Sequence, residues 1–253
     1  MSLVRMQKKR SYYSSINNSW AINNMNLNTV KIYQPQSQVR RVILAIHGLA
    51  GSKNSRSIAY IANLLLAGNV ATVAIELPGH GDNHTLLSLE NCLDCISEGF
   101  NFVKERYAVP VTLYSASFGA YLSLLFILRI GNPFRQIILR SPAVEMAKAM
   151  VGADRKKISD GAKKIISAMS QSFKEGLLKN DLFELETVDI PLNVIHGGMD
   201  TIVSLSAVKR YLSLKAPQAK LTVIETADHN MRSPEALSVL GRIVKGIIEK
   251  DSK

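Results

Sequence analysis

The chain of 253 residues predicts an α/β fold, a mainly parallel sheet covered by helices on both faces. Two observations support this class. Short apolar runs rich in β-branched residues alternate with longer segments of helical periodicity, which is typical of strands joined by crossover helices. The apolar run that ends at His47, residues 42–47, is typical of a strand buried on both faces, and residues 70–75 are predicted as a second buried strand. Active sites of such sheets lie at the carboxyl ends of the strands.

The same patterns give the elements in order. Residues 1–28 are polar and are predicted as an N-terminal extension, and residues 143–189 form a lysine-rich, mostly helical segment without a clear strand. We predict one domain over residues 1–253, with 143–189 as a small cap inserted between strands. The expected strands are residues 29–33, 42–47, 70–75, 111–114, 136–140, 192–196 and 221–224, and the expected helices are 57–67, 86–107, 121–128, 204–214 and 234–250.

The composition limits the class of protein. A hydrophobic content of 47% over 253 residues suits one large domain with a buried core. No apolar run reaches the length of a membrane span, and polar residues follow the basic N-terminus where a secretory signal would be apolar, so a cytoplasmic location is expected. The net charge of +11 comes from dispersed basic pairs without interleaved aromatic residues. Specific nucleic-acid binding is therefore not expected, whereas an anionic membrane surface or an acyl carrier stays open as a partner.

The two cysteines, Cys92 and Cys95, have Cys-x-x-Cys spacing. A redox pair is expected at a strand-to-helix junction, and a zinc site needs a second pair of ligands. Here both cysteines fall within a helical stretch, which favours buried or half-buried thiols on a helix. No disulfide framework is implied.

The most informative motif is Ser115-Ala-Ser117-Phe-Gly119, between a predicted strand and a predicted helix. A strand that reverses into a helix over so few residues strains the central residue, which only small neighbours two positions away accommodate. Ser117 is then exposed at the end of the strand, where the helix amides point at any oxyanion. Most such elbows have glycine at the position of Ser115. Because of that departure, two alternatives stay open: the turn serves only packing, or Ser115 is the nucleophile.

Two further polar loops follow apolar strands, at Asp200 and at His229. A serine hydroxyl needs a base to accept its proton, histidine has a suitable pKa, and a carboxylate fixes the tautomer of that histidine. Ser117, Asp200 and His229 supply nucleophile, acid and base in chain order. Asp228 and Glu225 are competing acids, although Asp228 adjoins His229 in sequence and is poorly placed to fold back onto its ring.

Other polar and aromatic residues have simpler interpretations. The run His80-Gly-Asp82-Asn-His84 resembles a metal box but is predicted as a turn without a metal, because no further well-spaced ligands occur. His47 and His196 end strands and are predicted to be structural hydrogen-bonding residues. Packing roles are expected for Tyr114 and Trp20.

Together these motifs resemble the α/β-hydrolase superfamily from about residue 30 to the end of the chain. The chain is most similar to small-cap serine esterases and lipases, including monoacylglycerol-lipase-like, cinnamoyl-esterase-like and acyl-thioesterase-like enzymes. The matching segments are the oxyanion loop His47-Gly-Leu49, the loop Pro78-Gly-His-Gly81, the acid loop 196–200 and the base loop 228–229. The resemblance implies an oxyanion hole formed by the backbone N–H groups of Leu49 and Phe118.

The resemblance and the three side chains imply a serine hydrolase that cleaves carboxylic ester bonds through an acyl-enzyme on Ser117, without cofactor or metal. Its expected partner is a small-molecule acyl ester or thioester, including lipid esters. The sequence does not decide between esters, thioesters and peptides, and it leaves the oligomeric state open. A catalytically silent binding module and an acyltransferase on the same fold stay open as alternatives.

The apolar residues of the predicted cap have two interpretations. A methionine-rich surface can line a pocket for an acyl chain. Alternatively, the same residues pack the cap onto the body, which is the favoured interpretation for each residue taken singly. The residues concerned are Val144, Met146, Met150, Val151, Ile158, Ile165, Ile166, Met169, Phe173, Leu177 and Leu178.

Overall fold

The computed structural model describes residues 25–151 and 160–250. Its seven strands are β1 Val30–Tyr33, β2 Arg41–Ile46, β3 Val70–Ile75, β4 Val111–Ala116, β5 Gln136–Arg140, β6 Asn193–Gly197 and β7 Lys220–Ile224. They form one sheet in the order β1-β3-β2-β4-β5-β6-β7. β1 is antiparallel to β3, and the other neighbouring strands are parallel.

Helices connect these strands. Across the described ranges they are α1 Arg56–Leu66, α2 Leu89–Arg106, α3 Phe118–Arg129, α4 Met146–Val151, α5 Asp160–Ala168, α6 Gln171–Lys179, α7 Leu205–Lys215 and α8 Pro234–Lys250. α1 and α8 cover one face of the sheet, and α2, α3 and α7 cover the other. The predicted α/β class, with a mainly parallel sheet and helices on both faces, is confirmed.

Element boundaries differ most at two helices. α2 begins at Leu89 instead of residue 86, because the Ser88 side chain caps it by accepting a hydrogen bond from the Asn91 N–H. α3 begins at Phe118 instead of residue 121, because the chain turns into the helix directly after Ser117. Each predicted strand is observed within two residues of its expected bounds.

The segment between β5 and β6 contains helices α4, α5 and α6. Its side chains at Met146, Ile166, Met169, Phe173 and Leu177 are buried in the main core. This burial supports packing of the insertion onto the body at these positions. Leu178, in contrast, is exposed.

Several predictions fall outside the residues that the structure describes. They concern Trp20, Ile158, the side chains of Met150 and Val151, and residues 1–24 of the predicted extension. Among the described helices, none combines the length and the apolar character needed to cross a bilayer.

Cys92 and Cys95 are buried free thiols on α2, which confirms the interpretation from the sequence. Burial raises the pKa of both thiols, and that of Cys95 to about 12. They are therefore neutral packing side chains at physiological pH.

Gly119 lies where the start of α3 crosses the end of β2. A Cβ atom at this position would lie 2.4 Å from the His47 carbonyl oxygen and 2.9 Å from Ile46 Cγ2. We expect Gly119→Ala to lower the free energy of unfolding by about 3 kcal/mol, because backbone atoms of a buried strand cannot move aside cheaply.

The matched control for this substitution is Gly246→Ala on α8, where no heavy atom lies within 4 Å of the added Cβ. It is expected to stabilise the protein by about 0.5–1 kcal/mol, since alanine is the better helix former. Urea unfolding monitored by circular dichroism measures both. Equal stability of the Gly119→Ala variant and the wild type would contradict the close packing of the elbow.

Candidate active site

Ser117 occupies the sharp turn between β4 and α3. Its backbone is left-handed, with φ 53° and ψ −115°, and its N–H donates to the Arg140 carbonyl oxygen at 2.9 Å. A serine in this conformation is strained, and the surrounding strands hold it there. The turn brings the Ser117 hydroxyl to the carboxyl edge of the sheet.

Ser115, the residue that departs from the usual elbow pattern, is fully buried. Its Oγ lies 2.9 Å from the Oγ of Ser123 on α3, and Ser123 Oγ lies 2.8 Å from the Gly119 carbonyl oxygen. The extra hydroxyl is therefore satisfied beneath the turn. The structure brings Ser117, and not Ser115, to His229.

His229 lies between the other two predicted site residues. Its Nε2 is 2.9 Å from Ser117 Oγ, and its Nδ1 is 2.8 Å from Asp200 Oδ2. The ring is buried, whereas Ser117 is partly exposed. A histidine that donates from Nδ1 to a carboxylate presents an unprotonated Nε2 to the serine hydroxyl, which is the orientation a general base requires.

Asp200 is fixed by its own loop. Its Oδ1 accepts the backbone N–H groups of Ile202 and Val203, both at 2.9 Å, which leaves Oδ2 for His229. Burial raises the pKa of the Asp200 carboxyl group, but the hydrogen bonds from His229 and the two amides lower it by more, so the net shift is downward. The buried carboxylate is therefore charged at neutral pH.

The competing carboxylates have other positions. Asp228 Oδ1 accepts the backbone N–H of Arg232 at 3.3 Å. Glu225 packs against Gly198 of the acid loop. Of the three candidate acids, Asp200 is the one that the structure brings to His229.

A second histidine adjoins the same carboxylate. His196 is fully buried, with its Nε2 3.1 Å from the Val203 carbonyl oxygen and 3.5 Å from Asp200 Oδ2. Burial lowers the pKa of His196, although Asp200 opposes this effect. The neutral ring donates to the acid loop, which agrees with the hydrogen-bonding role predicted for it.

The predicted oxyanion loop lies directly against Ser117. A Cβ at Gly48 would lie 3.0 Å from Ser117 Cβ, so only glycine allows this approach without displacement. The backbone N–H groups of Leu49 and Phe118 bond to no partner among the residues that the structure describes. Both are therefore free to donate to a ligand.

A buried charged network, which sequence reasoning did not identify, holds the oxyanion loop in place. Glu76 lies directly after β3 and accepts hydrogen bonds from the backbone N–H of Lys53 at 3.0 Å and from Lys53 Nζ at 2.9 Å. Lys53 also pairs with Asp82.

Two histidines connect this network to the oxyanion loop. His47 Nε2 lies 3.2 Å from Glu76 Oε1, and the His80 ring accepts the Ala50 N–H at 3.2 Å. The one sequence feature that could have revealed this network is a glutamate directly after a mostly apolar strand.

Three residues of the predicted turn 80–84 are engaged by the protein itself: Asp82 pairs with Lys53, Asn83 donates to the Glu76 carbonyl oxygen, and His80 Nδ1 lies 2.9 Å from the Pro78 carbonyl oxygen. Burial, reinforced by the charge of His47, lowers the pKa of His80 and keeps its ring neutral. In the part of the chain described, no three His, Cys, Asp or Glu side chains are arranged to hold a metal ion.

The pKa of Glu76 predicts how stability depends on pH. Burial raises this pKa, but His47 and Lys53 lower it by more, from 4.5 to about 2. Because the folded pKa lies below the unfolded value, the stabilisation is complete above about pH 5 and is lost as the pH falls towards 2. We expect Glu76→Gln to lower the free energy of unfolding at pH 7 by about 3 kcal/mol and to flatten its decrease in acid.

Urea unfolding at a series of pH values between 2 and 7 measures this effect. Glu249→Gln is the matched control, since Glu249 forms an exposed pair with Lys245 at 3.7 Å, which is worth less than about 1 kcal/mol. If the stability of Glu76→Gln fell with decreasing pH as that of the wild type does, the lowered pKa of Glu76 would not be the cause of the acid dependence.

The fold and the site define the class of protein. A seven-stranded, mostly parallel sheet with a serine, a histidine and an aspartate in contact at its carboxyl edge is the architecture of the α/β-hydrolase superfamily. The chain belongs to the serine aminopeptidase S33 family, whose model matches residues 37–184, more than half of its length. It is therefore a member of a hydrolase family.

Solved structures share this fold at low sequence identity. Est1E from Butyrivibrio proteoclasticus is 16% identical with a TM-score of 0.66, over 88% of this chain and 94% of that chain. The α/β-hydrolase domain-containing protein 10 from mouse is 15% identical with a TM-score of 0.69, over 90% and 97%. A structure of the metagenome-derived lipolytic enzymes LipS and LipT is 14% identical with a TM-score of 0.67, over 90% and 100%. No curated protein sequence matches the chain significantly.

Proposed function

We propose that this protein is a serine esterase that hydrolyses carboxylic ester bonds through an acyl-enzyme on Ser117. The observation that carries the proposal is the pair of contacts made by His229, 2.9 Å to Ser117 Oγ and 2.8 Å to Asp200 Oδ2. This arrangement lets one imidazole remove a proton from the hydroxyl while a fixed carboxylate stabilises the imidazolium that forms.

In the first half of the reaction Ser117 Oγ attacks the ester carbonyl carbon as His229 Nε2 takes its proton. The carbonyl electrons move onto oxygen, and the N–H groups of Leu49 and Phe118 stabilise that oxyanion, which is worth a few kcal/mol of barrier per donor. The tetrahedral intermediate then collapses as the bond to the alkoxide breaks. His229 returns the proton to the alkoxide, so an alcohol leaves and the acyl group stays on Ser117.

In the second half a water molecule attacks the acyl-enzyme. His229 takes a proton from the water, and the same oxyanion donors stabilise the second tetrahedral intermediate. Collapse breaks the bond to Ser117 Oγ, which receives the proton from His229. The carboxylic acid leaves, and the free enzyme is restored.

The similar structures support an ester as the substrate class. One records ferulic acid bound to Est1E, at 18% identity and a TM-score of 0.67, and another describes LipS and LipT as lipolytic. We extend the proposal to lipid esters and acyl thioesters, whose carbonyl carbons react in the same way. The net charge of +11 favours substrates presented on an anionic membrane surface or an acyl carrier.

A p-nitrophenyl ester series from acetate to palmitate, with parallel labelling by a fluorophosphonate, tests the proposal. We expect turnover above the buffer rate, an optimum in acyl length and stoichiometric labelling at Ser117. If the folded wild type neither turns over any ester nor becomes labelled, the esterase proposal fails and a catalytically silent binding module replaces it. Adding hydroxylamine as an acyl acceptor and measuring the hydroxamate formed reveals whether acyl transfer competes with hydrolysis by water.

The family description favours one second candidate, an aminopeptidase. Amide hydrolysis would use the same nucleophile, but the amine leaving group requires proton donation by His229 as the bond breaks. Aminoacyl p-nitroanilides, run beside the ester series, separate the two. A higher kcat/KM for the best anilide than for the best ester would make peptides the substrate class.

A further inference from the structure

A buried arginine lies immediately beside the candidate site, and no role for its side chain follows from the two contacts of His229 already described. Arg140 is the last residue of β5 and is 5% exposed. In the sheet it pairs with Ala116 of β4 on one side and with Ile195 of β6 on the other. It therefore lies between the strand that leads to Ser117 and the strand that leads to Asp200.

Arg140 bonds to the backbone of two of the three site residues. Its carbonyl oxygen accepts the N–H of Ser117 at 2.9 Å. Its Nη1 donates to the carbonyl oxygen of His229, a residue 89 positions later in the chain. One residue thus connects the peptide of the nucleophile with the peptide of the base.

The neighbouring residue reinforces this connection. Ser141 Oγ lies 3.4 Å from the same His229 carbonyl oxygen, and the Ser141 N–H donates to the Ile195 carbonyl oxygen at 2.8 Å. Ser141 has a left-handed backbone, with φ 45°. A non-glycine residue in that conformation costs about 1 kcal/mol or more and persists where the surrounding contacts require it.

The charge of Arg140 is costly to bury. Among the residues that the structure describes, no carboxylate forms an ion pair with it, and its buried Nε has no hydrogen-bond partner. A buried cation without a carboxylate destabilises a fold unless polar groups compensate. The polar groups beside this guanidinium are the His229 carbonyl, which accepts from Nη1, and the buried Tyr114 hydroxyl. Charge-assisted hydrogen bonds of this kind are among the stronger ones in proteins.

We propose that Arg140 is a positioning residue for the reaction: its buried guanidinium holds the base loop so that His229 Nε2 stays within hydrogen-bond distance of Ser117 Oγ. This inference rests on the proposed function. It concerns geometry between backbone groups, and Arg140 makes no contact with the substrate in this scheme.

The test compares Arg140→Met, which removes the donors, with Arg140→Lys, which keeps a cation. For the preferred p-nitrophenyl ester we expect Arg140→Met to lower kcat about 100-fold, because a displacement of about 1 Å at the reacting groups costs that much, with KM changed less than about threefold. Arg140→Lys is expected to recover at least about tenfold of the lost kcat. Thermal unfolding establishes that each variant is folded at the assay temperature.

The matched control is Tyr211→Phe on α7. The Tyr211 hydroxyl is likewise buried, without a hydrogen-bond partner among the described residues, and burial raises its pKa. The Tyr211 ring packs edge-to-face against Phe183, and no hydrogen bond joins Tyr211 to the base loop in the described residues, so this variant should retain the kcat of the wild type. A folded Arg140→Met variant with unchanged kcat, or an Arg140→Lys variant no better than Arg140→Met, would overturn the proposal.

A second readout is independent of any substrate. The Nδ1 proton shared by His229 and Asp200 is expected to give a downfield ¹H NMR signal, assigned by its disappearance in Asp200→Asn. We expect Arg140→Met to shift or broaden this signal and Tyr211→Phe to leave it unchanged. If the wild type hydrolyses no ester, the esterase proposal fails while this spectrum still decides the positioning role, and an unaltered signal in Arg140→Met refutes that role.

Discussion

Replacing Ser117 with alanine is expected to reduce ester turnover by roughly 10⁴-fold or more and to abolish fluorophosphonate labelling. The hydroxyl lies 2.9 Å from His229 Nε2 and is the atom that would carry the acyl group, so its removal eliminates the covalent route. Residual catalysis would come from oxyanion donors and substrate binding alone. The measurement is kcat/KM for the best p-nitrophenyl ester, together with mass spectrometry of the labelled protein.

Ser115→Ala is the control for this experiment, because Ser115 lies two residues away in the same turn but is buried against Ser123. It should lose about 1 kcal/mol of stability, through a broken buried hydrogen bond, and keep its labelling. Full labelling of the Ser117→Ala protein, or loss of labelling in folded Ser115→Ala, would move the nucleophile to another residue.

Asp200→Asn is expected to reduce kcat by about 10³–10⁴-fold while leaving the fold intact. In the wild type the amides of Ile202 and Val203 donate to Oδ1, and Oδ2 faces His229. An asparagine that keeps its oxygen towards those amides directs its NH₂ group at His229 Nδ1. That nitrogen must then be the acceptor, so the proton moves to Nε2 and the ring no longer accepts a proton from Ser117.

Asp228→Asn is the matched control, since Asp228 adjoins His229 in sequence but its side chain accepts the Arg232 N–H at 3.3 Å instead of contacting the ring. Its kcat should stay within about threefold of the wild type. A larger loss in Asp228→Asn than in Asp200→Asn would make Asp228 the functional acid. Steady-state kinetics on both variants, at a pH where both are folded, decides between the two carboxylates.

Much of the fold could be predicted from the sequence because the sheet is buried on both faces. β2, β3 and β4 are mostly apolar runs that are buried at every position after Arg41 in β2 and throughout β3 and β4, and such runs at strand length leave few alternatives to a buried parallel strand. The helix starts were less accurate. The onset of α2 depends on which polar side chain caps the helix, and the onset of α3 on how sharply the elbow turns, and neither follows from periodicity.

The candidate site could be predicted for a related reason. The carboxyl ends of parallel strands meet at one edge of the sheet, so Ser117, Asp200 and His229, each in a loop after a strand, were expected to converge there. The structure brings these three side chains into contact. The buried partners of the loops, Glu76 and Arg140, were not expected, because a charged residue at a strand end usually faces solvent.

By itself the sequence determined the order of strands and helices, the elbow at Ser117 and the residue types available at the active edge. Only the tertiary structure decided that Asp200, and not Asp228, contacts His229, that Ser123 satisfies Ser115, and that Arg140 reaches the base loop. The physical reason is that the periodicity of apolar residues indicates which face of a segment is buried, but not which particular residues it contacts. Hydrogen bonds between loops depend on backbone conformations and on contacts across as many as 112 residues, which no local pattern encodes.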